Sequence, residues 1–207
     1  MGDQEPRPAL GLYRQLATGY DLATAWLEPY RRRAVASLRL EAGEVVLDVG
    51  CGTGMSFPPI QAAIGPRGRL IGVEQSPEML ARARERVRAA GWTNVTLLEA
   101  SAEEATIPVE ADAVLFAFTH DVLRSREALA NMLGQVRAGG RVAAAGPKWT
   151  LFSPPLNLFV WQVAQRFVTT FEGFLRPWSE LERFVPELSV EEAFFGCVYV
   201  VWGRVPA

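Results

Sequence analysis

The sequence has a single histidine, His120, a single lysine, Lys148, and only two cysteines, Cys51 and Cys197. One histidine forbids a histidine cluster, and two distant cysteines are too few for a multi-cysteine zinc module, so no metal site is expected. The same two cysteines make no disulfide framework. They read as ordinary thiols of a reducing compartment, which makes the cytoplasm the expected location. Net charge is nearly absent, with 21 basic against 23 acidic side chains and a formal charge of -2. Such balance lacks the positive field of a dedicated nucleic-acid binder, and no nucleic-acid partner is expected. Long apolar runs are missing as well. The opening MGDQEPRPALG has no apolar signal core, and the later apolar stretches are interrupted by Pro154, Pro155, Gln162 and Arg166, so no transmembrane segment is expected.

What is present suits one self-sufficient domain over residues 1–207. The chain is 49% apolar, and a chain of this length buries roughly 70% of the surface its unfolded form exposes. Residues 10–18 and 21–40 have helical spacing, with Leu22, Trp26, Tyr30, Val35 and Leu38 on one broad face expected to be buried. Arg31, Arg32 and Arg33 on that segment read as solvent-facing, or as contacts to an anionic ligand or membrane. From residue 44 the pattern changes to short apolar strands alternating with helices: EVVLDVG, GRLIGVE, NVTLLEA, ADAVLFAF and GRVAAAG are the strands. Ser76 and Pro77 suit the start of one helix, and Leu80, Ala83 and Val87 form its inward stripe, with Arg82, Arg84, Arg86 and Arg88 outward. Residues 124–137 read as a further helix, followed by a turn at Gly139 and Gly140. Strands this apolar, joined by crossovers this long, predict parallel pairing between two helical layers. LSVEEAFFG and CVYVVWGRV lie too close together for a crossover and predict an antiparallel pair at one edge.

Between the first strand and its helix stands Asp48-Val49-Gly50-Cys51-Gly52-Thr53-Gly54. Small residues here let a ligand approach backbone N–H groups, so this is a cofactor loop. The dinucleotide fingerprint needs glycine where Met55 stands, which weakens a dinucleotide assignment. Glu74, ending the second strand, is an independent constraint, because its carboxylate can accept both hydroxyls of a ribose. Together they point to a nucleoside-bearing cofactor.

VLDVGCGTG, with VEQSPEML after the next strand, resembles the class I S-adenosylmethionine-dependent methyltransferase family. The resemblance implies a three-layer, Rossmann-like α/β fold: a mostly parallel seven-stranded sheet with a terminal antiparallel strand and a helical lid. It also implies S-adenosyl-L-methionine as cofactor. The loop, Asp48, Gly50, Cys51, Gly52, Thr53 and Gly54, would face the methionine portion, with Asp48 orienting the loop or reaching the cofactor through water. Glu74 would hold the ribose, and Gln75, Ser101, Ala102 and Phe118 would complete the cofactor site around adenine and the sheet edge. Ser101 departs from the family pattern, which commonly places a carboxylate before the alanine. Residues 44–146 would form the cofactor-binding core and residues 187–205 the terminal strand pair.

The strand ending AFTHDVL brings Phe118, Thr119, His120 and Asp121 to the carboxyl edge of the sheet, where such folds hold ligands. A near-neutral imidazole suits general-base work on an oxygen or nitrogen, making His120 the candidate catalytic residue. Asp121 reads as an orienting partner or a helix cap. Residues 147–186 form a largely helical aromatic lid, and residues 10–40 offer further cover. Tyr13, Tyr20, Thr119, His120, Trp149 and Phe152 are the expected substrate contacts. The expected function is methyl transfer to an O, N or C nucleophile of a small, apolar or aromatic acceptor. Two alternatives stand beside it: N-methylation of a phospholipid head group with peripheral membrane contact, and a non-catalytic scaffold that binds the cofactor.

Overall fold

The computed structural model describes residues 20–151, 153–165, 168 and 170–206. In chain order, α1 (Tyr20–Thr24), a 3-10 turn (Ala25–Leu27) and α2 (Glu28–Ser37) precede the sheet. Next come β1 (Val45–Val49), α3 (Phe57–Ile64), β2 (Arg69–Glu74), α4 (Pro77–Ala90), β3 (Val95–Glu99) and β4 (Ala111–Ala117). Then follow α5 (His120–Arg124), α6 (Arg126–Leu133), β5 (Val136–Pro147), α7 (Pro154–Ala164), α8 (Leu181–Phe184), β6 (Ser189–Ala193) and β7 (Val198–Arg204). The strand order is β3-β2-β1-β4-β5-β7-β6, with β7 antiparallel to both β5 and β6. This is the seven-stranded, mostly parallel Rossmann-like sheet expected from the sequence. Chain direction across the sheet reverses between β1 and β4, and that reversal opens a crevice at their carboxyl ends.

Strand alternation divides the apolar residues between the two faces of the sheet. Leu47, Ile71, Val114 and Phe116 pack with α6 and α8 on one side. Val46, Leu70, Leu115 and Ala143 pack with α2, α3 and α4 on the other. A third cluster, Val160, Ala164, Val168, Phe174 and Cys197, lies beneath α7. On α4, the Ser76 hydroxyl accepts from the Met79 N–H at 3.3 Å, as its position before Pro77 predicts. Ser76→Ala is expected to cost about 1 kcal/mol of stability, read from the midpoint of urea unfolding.

Several expectations are corrected. The helix over 21–40 is broken by the 3-10 turn, because Pro29 lacks the N–H that a continuous helix needs there and instead opens α2. Its buried face shifts accordingly: Leu27, Arg31, Ala34, Val35 and Leu38 are buried, whereas Leu22 and Trp26 are exposed. The helix over 124–137 is two helices, interrupted at Ser125, whose hydroxyl caps α6 by accepting from the Ala128 N–H. β5 already begins at Val136, and Gly139 and Gly140 lie inside it, where the pairing with β4 shifts register between Ala111 and Ala113. Arg86 does not face solvent freely; it is paired with Asp21 and donates to the Thr53 carbonyl at 2.9 Å, tying α1 to the glycine loop. Among the described residues, no helix is long and apolar enough to cross a membrane.

Candidate active site

The loop after β1 turns through left-handed backbone at Gly50 (φ 65°) and Gly54 (φ 78°). Both also lack room: a Cβ on Gly50 would sit 2.4 Å from the Thr119 side chain, and one on Gly54 2.6 Å from the Phe57 ring. The loop therefore folds tightly against β4 and α3 and leaves a cavity of about 310 Å³ on its open side. It is lined by Gly50, Cys51, Gly52 and Thr53 of the loop, by Glu74, Gln75 and Ala102, and by Phe118 and Thr119. Cys51 and Cys197 are both buried free thiols.

Glu74 is 8% exposed. One carboxylate oxygen accepts from the Gly52 N–H at 3.0 Å and the other from the Ser76 N–H at 2.8 Å. Burial pushes its pKa up, while the amides of Ser76, Gly52 and Gln75 hold it down. Asp48 lies beneath the loop, 1% exposed, with Oδ2 unpartnered among the described residues. Burial raises its pKa to about 7, against the opposing pull of Arg31 and of a hydrogen bond from Ser56. A carboxyl raised in the fold keeps its proton while the unfolded chain loses it between its ordinary value and about pH 7. Asp48 thus subtracts stability as pH climbs through that window, by as much as about 4 kcal/mol. Asp48→Asn is expected to flatten that part of the pH–stability curve, measured by urea unfolding at pH 5 and pH 8.

Arg31 was not singled out among its neighbours by the sequence. It is 3% exposed and lines the cavity, with its guanidinium 4.9 Å from the centre of the Phe118 ring and paired to Glu28 at 3.2 Å. Arg32 and Arg33, in contrast, are exposed and paired to Glu28 and Glu191. The Glu28 carboxylate at i-3 was the only signal, and it marks Arg32 at i-4 equally well. Glu103 also lines the cavity and accepts from the Ser125 hydroxyl at 3.1 Å. Ser101 is buried, its hydroxyl without a partner among the described residues, while its neighbours Ala100 and Ala102 face the cavity.

His120 opens α5 and borders a second, smaller cavity beneath α7, lined by Trp26, Leu27, Pro147, Val160 and Val168. Phe118 (φ 62°) lines both cavities. The imidazole is 4% exposed, packs edge-on against Phe174 at 4.9 Å, and donates from Nε2 to the Glu172 carbonyl at 3.2 Å. Burial lowers its pKa, Asp121 and the Glu172 carbonyl oppose that shift, and Arg124 reinforces it. Thr119 and Asp121 line the larger cavity. Trp149 is not among the residues lining either cavity; it stacks on Phe171 at 5.3 Å and packs at a tilt against Phe174. Tyr13, Phe152 and the side chain of Tyr20 lie outside the described residues. Among the described residues, no three histidine, cysteine or acidic side chains are placed to share a metal ion.

Residues 46–140, which contain the glycine loop, Glu74 and His120, match the family model of a methyltransferase domain. That stretch, under half of the chain, is similar to a methyltransferase domain, and the whole fold is similar to that of solved S-adenosylmethionine-dependent methyltransferases. Relatives of this chain include aklanonic acid methyltransferase DauC of Streptomyces sp. (strain C5), 30% identical over 138 residues, or 65% of this chain and 63% of that protein. Trans-aconitate 2-methyltransferase of Pseudomonas paraeruginosa is 35% identical over 58% of this chain and 43% of its own. The chain thus spans less than two thirds of the length of these relatives. In fold it is similar to the N-methyltransferase NodS from Bradyrhizobium japonicum WM9 in complex with S-adenosyl-L-homocysteine, at TM-score 0.68 and 16% identity, covering 97% of this chain and 100% of that one. A SAM dependent methyltransferase from Aquifex aeolicus superposes at TM-score 0.66 and 21% identity over 93% of this chain and 98% of its own.

The residues present fit S-adenosylmethionine, the cofactor that the resemblance of the glycine loop implies. The cavity joins a glycine floor, on which backbone can approach closely, to a buried carboxylate whose remaining lone pairs suit vicinal hydroxyls. Arg31 adds a buried cation on the same wall as Phe118, matched in sign to an amino-acid carboxylate.

Proposed function

We propose that this chain transfers a methyl group from S-adenosylmethionine to an O, N or C nucleophile of a small, apolar or aromatic molecule. One observation carries the reading: a cavity lined by the glycine loop and Glu74 shares Phe118 with an apolar cavity that His120, the sequence's only histidine, also lines. When bound, the cofactor supplies an electrophilic methyl group and a neutral thioether leaving group. The protein's part is then to bind, align and keep water out. Gly50, Gly52, Thr53 and Arg31 hold the amino-acid end, Glu74 the ribose, and Gln75, Ala102 and Glu103 the base. Asp48 sets the loop from below. His120 takes up the acceptor's proton, and α7 covers the acceptor. Residues 1–207 act as one domain in the cytoplasm, with a small molecule as partner.

A second reading, methylation of a lipid head group at a membrane surface, has a specific observation behind it. Trp26, Phe159, Trp161, Leu158, Leu151 and Phe195 are all exposed, and residues 149–165 carry no charge. An apolar surface of that kind marks a protein or membrane contact. The arginines originally suited to anionic lipid do not add to it, since Arg31 is buried and Arg32 and Arg33 are ion-paired.

Calorimetry with S-adenosylmethionine, followed by an acceptor screen that includes phenols, amines, acids and phosphatidylethanolamine vesicles, separates these readings. The leading one expects binding and soluble-acceptor turnover; vesicle-only turnover favours the second, and binding without any turnover favours a non-catalytic scaffold.

A further inference from the structure

We infer that a third cavity, at the amino edge of the parallel strands, binds a small aromatic carboxylate at a site separate from methyl transfer. The cavity measures about 660 Å³, a size typical of small-molecule sites. It lies where β5 begins and the antiparallel β7 ends, whereas the glycine loop and Phe118 stand at the carboxyl edge. Three guanidiniums line it, those of Arg39, Arg141 and Arg204, against one carboxylate, that of Glu187.

The fold brings these cations together at a cost. Arg141 and Arg204 stand directly opposite each other across β5 and β7, a position in which like charges destabilise a sheet. Arg39 has left-handed backbone, φ 47°, which a non-glycine residue seldom adopts, and its carbonyl accepts from Arg141 Nη1 at 2.9 Å. Of the three, Arg141 is neutralised by its ion pair with Glu44. Arg204 donates to the Gly139 carbonyl at 2.9 Å, a neutral partner, and neither it nor Arg39 has an ion pair among the described residues.

These charges define the ligand. With Arg141 and Glu44 cancelling, Arg39, Arg204 and Glu187 leave the cavity one positive charge in excess. A monocarboxylate matches that excess, and its two oxygens suit a guanidinium fork. A phosphate dianion would exceed it in the presence of Glu187. The body of the ligand is set by β7. Trp202 precedes Arg204 by two residues and so shares its face of the strand, with Ser189 of β6 opposite. Its partly exposed indole offers an apolar surface beside the cations, which suits an aromatic ring.

Amide chemical shifts of the 15N-labelled full chain test the site. Cinnamate is expected to move the amides of Gly139, Arg141 and Trp202 in a saturable way and to leave those of Gly50, Gly52 and Gly54 in place. Acetate has the charge without the ring, and cinnamamide the ring without the charge; each is expected to bind about tenfold more weakly or worse. Phenyl phosphate is expected to bind more weakly than cinnamate. Arg204→Gln is expected to weaken cinnamate by about tenfold, while the midpoint of urea unfolding stays in place or rises, because the cross-strand repulsion is removed. Acetate, cinnamamide or phenyl phosphate binding as tightly as cinnamate overturns the inference, as do shifts confined to the glycine loop. So does unchanged affinity in Arg204→Gln, or a lowered midpoint, which would make Arg204 a structural residue.

Discussion

Glu74→Gln is expected to weaken S-adenosylmethionine binding by about 100-fold or more, the largest single effect on the cofactor side. The carboxylate already accepts from two amides, Gly52 at 3.0 Å and Ser76 at 2.8 Å, and these set its orientation toward the cavity. Hydrogen bonds to a charged acceptor contribute roughly 1.5–3 kcal/mol each, so losing the charge toward two ribose hydroxyls removes about 3 kcal/mol. That is about two orders of magnitude in Kd. Glutamine keeps the shape but offers one oxygen and one NH2, so one of the two backbone amides then faces a donor instead of an acceptor. The glycine loop loses a tether in the same step. Calorimetric titration measures the effect, and urea unfolding checks that the fold survives. A Kd within about twofold of the parent chain contradicts the role given to Glu74.

His120→Gln is expected to lower turnover by about 10²–10⁴-fold, the range for a positioned general base, with cofactor affinity changed by less than about twofold. The separation follows from placement: His120 borders the smaller apolar cavity, while the glycine loop and Glu74 line the larger one. Such a split between kcat and Kd distinguishes a residue at the acceptor from one that merely supports the fold. The pH profile supplies a second readout. Burial lowers the imidazole pKa from 6.5, against Asp121 and the Glu172 carbonyl and together with Arg124. The proton-accepting form therefore persists at neutral pH, and the acid limb of the rate lies below pH 6.5. The same shift bears on stability with a definite sign. As pH falls below 6.5, the unfolded chain takes up the proton before the folded one does, so His120 makes the fold less stable toward acid. The variant should lose both the acid limb and that contribution.

Much of this molecule can be read from local pattern. The β1 and β2 strands, the glycine loop and Glu74 are contiguous signals whose meaning depends on a few neighbours, and each stands where its pattern places it. The edge formed by β6 and β7 follows from chain length alone, since the turn around Gly196 is too short for a crossover. Elements that depend on packing partners were less legible. Leu22 and Trp26 have the periodicity of a buried face, but Pro29 resets the helix and turns that face outward. Arg31 looks like its two neighbours in sequence. It differs because the register of α2 aims it at Asp48 and Phe118, residues 17 and 87 positions away in the chain, and such long-range meetings leave no mark in a local window. Trp149 belongs to an aromatic-rich stretch in which packing residues and acceptor contacts have the same composition, and its stacking on Phe171 and tilted contact with Phe174 leave no mark in the sequence.

By the proposed function, the cavity between the glycine loop and Glu74 holds S-adenosylmethionine, with Glu74 as its anchor. Parallel calorimetric titrations of the parent chain with S-adenosylhomocysteine and with NAD test it most directly. One-to-one binding of the homocysteine compound, with no heat from NAD, is the predicted result. NAD binding in the absence of any response to S-adenosylhomocysteine would contradict it.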